Sequence, residues 1–417
     1  MSTVSAADLT PHLDRDTALA LLQGAIRTPS ITGDEAGFAA YLGTEMEKRD
    51  IADIETAEFA PGRSNVWGTR KGSGGGQNLL FIGHTDTVRV DGWKERWEGT
   101  DRESPFCGEL VDGAVWGRGA CDLKAGICAA LAALSLIDAA GIALKGNLSF
   151  AFVGDEESGQ EGSGVSAGVK HYADQIKSGA VAGPDFAVYV EPTRLNVYAA
   201  QMGFFIADVT VKGKSVYFGF PEQGHDALKA ANLILTALYA HSDDINARAV
   251  HGLVGRSFLL PTGINAGGYI AVPGEAKFSF IRKLLPGESL DEAVAEIEAV
   301  IERASTNPEI TVEIAYPAGR DHRFGGSPCG IDTALPAVQL LSAAAEDSFE
   351  GRGAIEGAPY WSEAPFFVNG LDVPAVYCAP GDIRNAHTTE EHVDVEEYWA
   401  GIVAFARFII AFCNQER

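Results

Sequence analysis

Basic residues are scarce in this chain: 32 lysines and arginines stand against 57 aspartates and glutamates in 417 residues, a formal net charge of −25. Nucleic-acid binding needs a basic footprint, so no polynucleotide partner is expected. An anionic substrate would need local cations to overcome the field of the whole protein. No apolar run approaches the roughly 20 residues that span a bilayer. The polar start Met1-Ser2-Thr3-Val4-Ser5 lacks the apolar stretch of a secretory signal. Neither a membrane nor export is therefore expected, and the chain reads as cytoplasmic. Cysteines are few. Cys107, Cys121, Cys128, Cys329, Cys378 and Cys413 form no CxxC pair, which argues against a zinc ribbon or a disulfide framework. Repeats and low-complexity tails are missing too.

What is present is an ordinary globular composition, 46% apolar and 21% charged, on a length that favours two domains over one core. Helical apolar spacing covers residues 14–27 and 35–49, with Asp34 as an expected N-cap for the second. Strands are expected near 51–58, 65–69, 78–83 and 109–116, then a buried helix over 120–140. Short apolar strands follow at 148–153 and 186–190. Such alternation predicts an α/β domain with a helix-flanked mixed sheet, whose sites gather beyond the carboxyl ends of the strands. After about residue 200 the pattern changes to strand, helix, two strands, helix and strand, the order of a ferredoxin-like α+β module. The first pattern resumes later, with a strand at 375–377 and a helix over 395–413. The expected division is therefore residues 1–200 and 318–417 for one catalytic domain, with an inserted lid or dimerisation domain at 201–317.

The strand near 78–83 ends in His84-Thr85-Asp86. Alternate side chains of an extended segment share a face, so the Asp86 carboxylate is placed to orient the His84 ring, as carboxylates do for metal-bound histidines. Other acids occupy similar strand-end positions. Asp122 lies in Gly117-Arg118-Gly119-Ala120-Cys121-Asp122, where an N-cap role is the simpler reading. Glu156 and Glu157 follow Gly154-Asp155, with adjacent side chains facing opposite ways. Glu191 follows Val188-Tyr189-Val190, and His387 lies in Pro380-Gly381-Asp382-Ile383-Arg384-Asn385-Ala386-His387. Two imidazoles among several carboxylates suit Zn, Mn or Co better than Ca or Mg. One or two such ions would make hydroxide available near neutral pH, and a free glutamate beside them would act as general base and then acid.

In combination these motifs resemble the metal-dependent amidohydrolase and peptidase family that contains acetylornithine deacetylase, succinyl-diaminopimelate desuccinylase, aminoacylase and carboxypeptidase G. The resemblance covers nearly the whole chain. It implies His84, Asp122, Glu157, Glu191 and His387 as metal ligands, with Asp122 bridging. It also implies Glu156 as general base, Asp86 as the orienter of His84, and a homo-oligomer formed through the inserted domain.

The chain departs from the family pattern in that inserted domain. Gly213-Lys214-Ser215-Val216-Tyr217 carries a tyrosine where the family has an oxyanion-stabilising histidine, and a tyrosine brings no positive charge. Gly267-Gly268-Tyr269-Ile270-Ala271-Val272-Pro273 lacks the family's asparagine. Losing an oxyanion donor costs on the order of 2.7–4 kcal/mol of transition-state stabilisation. Aromatic residues collect here: Tyr217, Phe218, Phe220 and Tyr269, with Tyr360-Trp361 ahead of Glu363. Phe218 and Phe220 individually read as core of the inserted domain. Arg282 nearly matches the family's carboxylate-binding arginine, and His322 could hold an anion. These departures resemble the aminohydrolase branch that acts on 5-nitroanthranilic acid. They lead to an expected hydrolytic deamination of a small anionic aromatic amino-carboxylate, with release of ammonia. The alternative is an N-acyl-amino-acid deacylase or dipeptidase, with Tyr217 or His225 serving the oxyanion. A non-catalytic binding protein on the same fold is disfavoured because every expected ligand and Glu156 are retained.

Overall fold

Leu79–His84, Leu148–Val153, Phe186–Tyr189 and Ala375–Tyr377 run parallel and side by side in a computed structural model that describes residues 4–157 and 162–417. The sheet order is Leu148–Val153, Leu79–His84, Phe186–Tyr189, Ala375–Tyr377, with His84 opposite Val153, Ile82 opposite Tyr189 and Tyr189 opposite Tyr377. Almost every residue of these strands is buried, which is why they read as continuous apolar runs and not as alternating ones. Arg63–Arg70 and Ala52–Ala60 extend the sheet antiparallel beyond Leu148–Val153. All four parallel strands deliver their carboxyl ends to one edge. The turns carrying Glu156–Glu157 and Glu191 and the segment leading to His387 leave from that edge, where His84 also ends its strand, whereas Asp122 follows Ala114–Trp116, a strand of a separate three-stranded sheet.

The helices Ala125–Ala139 and Val395–Cys413 are buried over most of their circumference. The segment Ala120–Ala139 is apolar and long enough to cross a membrane by length and composition, contrary to the reading of the sequence. It is 94% buried in the protein, which is how a core helix passes the same test. Three local expectations change. The segment near 109–116 is a hairpin, Glu109–Val111 with Ala114–Trp116. Asp34 does not cap its helix, whose N-cap is Glu35. Asp122 is no N-cap either: it has φ −117° and ψ 94° in an irregular turn before Ala125–Ala139.

Contacts divide the chain into two units, one comprising residues 1–199, 331–356 and 362–417, the other residues 200–330 and 357–361. The smaller unit therefore extends past residue 317. Gly325 and Gly326 pair with Phe205 and Phe204, and the Trp361 indole packs on Phe204 and donates to the Ser327 carbonyl. Its strands Gly203–Lys212, Phe258–Ala266, Glu275–Leu284 and Thr311–Ala315 pair antiparallel. Their order is Phe258–Ala266, Glu275–Leu284, Gly203–Lys212, Thr311–Ala315. With helices Ala227–Asn246 and Leu290–Ala304 this is the β-α-β-β-α-β arrangement.

Candidate metal centre

Backbone geometry beyond the strand ends decides which side chains meet. Glycine at position 119 has φ +82°, and a Cβ there would press on Thr87 and Lys124, so the turn into Asp122 depends on it. The turn is tied down by the buried Lys124 ammonium, which donates to the carbonyls of Ala25 and Thr28 at 3.0 and 2.7 Å. Burial pulls that ammonium's pKa down to about 7. His387 has φ +60°, a region that residues other than glycine rarely occupy.

The turns bring five side chains together. His84 Nε2 donates to Asp122 Oδ1 at 3.0 Å and lies 3.8 Å from Glu191 Oε1. His387 Nε2 donates to Glu157 Oε1 at 2.6 Å and lies 3.2 Å from Asp122 Oδ2. Two groups of ligand atoms result, His84–Asp122–Glu191 and Asp122–Glu157–His387, each within 4.8 Å. Asp122 belongs to both, with one oxygen directed to each histidine. Glu156 groups with His84 and Glu157 at the same spacing, so it stands beside this centre.

The electrostatics show that the cluster wants cations. Burial alone would lower the His84 imidazolium, but the hydrogen bond to Asp122 and the charges of Glu191, Asp122 and Glu156 hold it well above 6.5. His387 is raised to about 11 by its hydrogen bonds to Asp122 and Glu157. Burial lifts Glu191 to about 8, with Asp122 adding to the shift. Glu156 is held well above the usual carboxylate range by desolvation, against the pull of His84 and with the repulsion of Glu157, Glu191 and Glu363. Asp122 alone moves down: two imidazole donors outweigh its burial. Protons thus sit on both Nε2 atoms, between carboxylates, where divalent ions would replace them. Carboxylate and imidazole donors in two triads sharing one carboxylate fit one or two such ions.

Asp86 acts differently from expectation. His84 Nδ1 donates to the Asp86 backbone carbonyl at 2.9 Å, whereas the nearer carboxylate oxygen is 3.9 Å away. The carboxylate instead accepts from Glu156 N at 3.2 Å, Glu157 N at 2.9 Å and Thr32 Oγ1 at 3.1 Å. Asp86 therefore fixes the His84 ring through its main chain and the Glu156–Glu157 turn through its side chain.

Several supporting residues escaped the reading of the sequence. Ser362 Oγ donates to Glu191 Oε1 at 2.7 Å, and the Tyr189 hydroxyl donates to the buried Glu363 at 2.7 Å. Glu391 is wholly buried and accepts from the main-chain N–H groups of Cys121 and Asp122. Its position four residues after His387 was the only signal available.

The substrate-contact candidates all fall in the smaller unit. Arg282 is fully buried, and its guanidinium donates to Glu288 at 2.7 Å, so it is a core ion pair and not an open anion site. His322 lies 3.4 Å from Asp291. Tyr217 pairs with Ala271 across an isolated bridge, which joins the two stretches that depart from the family pattern. Phe218 and Phe220 are 55% and 56% exposed beside it, so they are not core, and Tyr269 is 96% exposed.

The description "Peptidase family M20/M25/M40" matches residues 80–411. Acetylornithine deacetylase of Myxococcus xanthus is 28% identical over 393 residues, covering 91% of this chain and 90% of the relative. Succinyl-diaminopimelate desuccinylase of Gluconacetobacter diazotrophicus is 27% identical over 410 residues, covering 94% and 96%. A tripeptidase structure from Staphylococcus aureus superposes with a TM-score of 0.74 at 16% identity, over 97% of this chain and all of that one, a likeness of fold.

Proposed function

Because the chain belongs to peptidase family M20/M25/M40, whose members are metal-dependent hydrolases of amide and peptide C–N bonds, we propose that it deacylates a small N-acyl amino acid or splits a dipeptide. Relatives matched over nine-tenths of their length carry names of amide-hydrolysing enzymes, which supports this reading over release of ammonia from an aromatic amine. The aromatic-amine expectation rested on Tyr217, Tyr269 and their neighbours, and none of these alters the ligand set. The observation that carries the proposal is the sharing of Asp122 between two ligand triads with Glu156 alongside.

Divalent ions held there would lower the pKa of a water and polarise the scissile carbonyl. Glu156 takes the proton of the attacking water and returns it to the leaving nitrogen, the acid–base task for which a raised carboxyl pKa is suited. Asp86 keeps the Glu156–Glu157 turn in place and holds the Nδ1–H tautomer of His84. Mn, Zn and Co are the ions best suited to this donor mixture. A homo-oligomer through the smaller unit is supported by Phe258–Ala266, an edge strand with Leu260 and Ile264 more than half exposed.

The test is a paired assay on metal-loaded protein. N-acetylornithine, N-succinyl-diaminopimelate and dipeptides are followed by release of free amine, and an anthranilate-type compound by release of ammonia. Amine release is the expected result. Ammonia without amine release would overturn the proposal.

A further inference from the structure

Glu391 touches no expected ligand side chain, yet it holds the loop of one ligand from the segment that carries another. Its Oε1 accepts the main-chain N–H of Cys121 at 3.1 Å and of Asp122 at 3.0 Å. Its Oε2 accepts from the buried Arg118 guanidinium, three residues before Cys121. The Glu391 carbonyl accepts from Gly117 N at 3.2 Å, and His392 pairs with Trp116 in a short antiparallel ladder. The approach to Asp122 is therefore fastened to residues 391–392 at both side-chain and main-chain level. Four residues upstream on the same segment lies His387. Between them, Thr388 Oγ1 donates to the Asn385 carbonyl at 2.8 Å, and the Thr389 carbonyl accepts from Trp97 Nε1.

We propose that Glu391 is a positioning residue that sets Asp122 and His387 at the mutual distance the second ion needs. The proposal rests on the reading of Asp122 and His387 as metal ligands. The Asp122–Glu157–His387 triad draws two of its three ligands from the segments Glu391 joins, and the His84–Asp122–Glu191 triad draws one. His387 is also the most exposed ligand, its side chain 54% accessible, so packing alone constrains it least. Loosening the junction should therefore weaken one ion more than the other. A buried carboxylate satisfied by a guanidinium and two main-chain donors is stiff, because any displacement leaves charged or polar groups unpaired.

The test is titration of metal-free protein with cobalt(II), following visible ligand-field absorption and the magnetic coupling between bridged ions by electron paramagnetic resonance. Glu391→Gln keeps an acceptor for the Asp122 N–H but loses the charge facing Arg118. Glu390→Gln removes the same charge one residue away, where the carboxylate pairs with Arg96 at the surface at 2.7 Å. In Glu391→Gln the second ion is expected to bind about 10–100-fold more weakly, the usual loss when a partner behind a ligand is removed. The first ion should bind as before, the coupling signal should fade, and Glu390→Gln should match wild type. Two ions bound with unchanged affinity and coupling in Glu391→Gln would overturn the proposal and leave the metal centre standing. Wild-type protein that takes up no ion would overturn both.

Discussion

Loading the centre with metal should expel protons, and their number follows from the geometry. In metal-free protein His84 donates from Nδ1 to the Asp86 carbonyl and from Nε2 to Asp122, the pattern of an imidazolium. His387, raised to about 11, is protonated as well. Each must lose its Nε2 proton to offer a lone pair, so about two protons leave per filled centre at pH 7. Glu191, at about 8, adds much of a third. Each coupled proton contributes about 1.4 kcal/mol per pH unit, so two give roughly a 100-fold rise in overall affinity per unit. The direction is fixed by the signs. All three groups have raised pKa values in the metal-free fold. The stability they contribute is fully present below their unfolded values, near 4.5 for Glu191 and 6.5 for the histidines. That stability is lost as pH rises through about 8 and about 11. Metal-free protein should weaken over this window while the stabilisation by metal grows. Calorimetric titration in two buffers of different ionisation enthalpy at pH 7 gives the count. Heats independent of the buffer, or affinity that falls with pH, would refute the reasoning.

Three substitutions separate the roles assigned above. Glu156→Gln should lower kcat by about 10²–10⁴-fold while metal stoichiometry is unchanged, and full activity in this variant would remove Glu156 as the base. Asp86→Ala leaves the buried N–H of Glu157 and the partly buried N–H of Glu156 without their acceptor, at about 1–3 kcal/mol for the buried donor. Denaturant unfolding of metal-free protein should show a loss of that order, and a loss below about 0.5 kcal/mol would mean that the turn is held by other groups. Arg282→Ala should destabilise the fold by about 2–3 kcal/mol, less than a wholly buried pair because Glu288 stays partly hydrated. A rise in KM with unchanged stability would instead return Arg282 to the substrate.

The meeting of His84, Glu157 and Glu191 was legible in the sequence because each follows a strand of one parallel run, and parallel strands in one sheet must end at the same edge; Asp122 joins them from a strand of a separate sheet. The burial of Arg282 was legible too, though unread: Ala276, Phe278, Phe280, Arg282 and Leu284 alternate along one strand face, and that face is the core. Exposure of Phe218 and Phe220 could not be inferred, since an apolar residue in a loop carries no period that says which way it faces. Nor could the two functions of Asp86. Spacing placed its carboxylate on the His84 side, but the turn after Val153 offered two main-chain donors, which bind a buried carboxylate more completely than one imidazole edge. Glu391 marks the limit most clearly, because it accepts from Asp122 N across 269 residues of chain. Local pattern determines which segments become strands and which acids stand at their ends, since these depend on backbone period and near neighbours. Which oxygen meets which N–H across the fold was decided only when the loops packed, because hydrogen-bond partners are chosen by proximity in space.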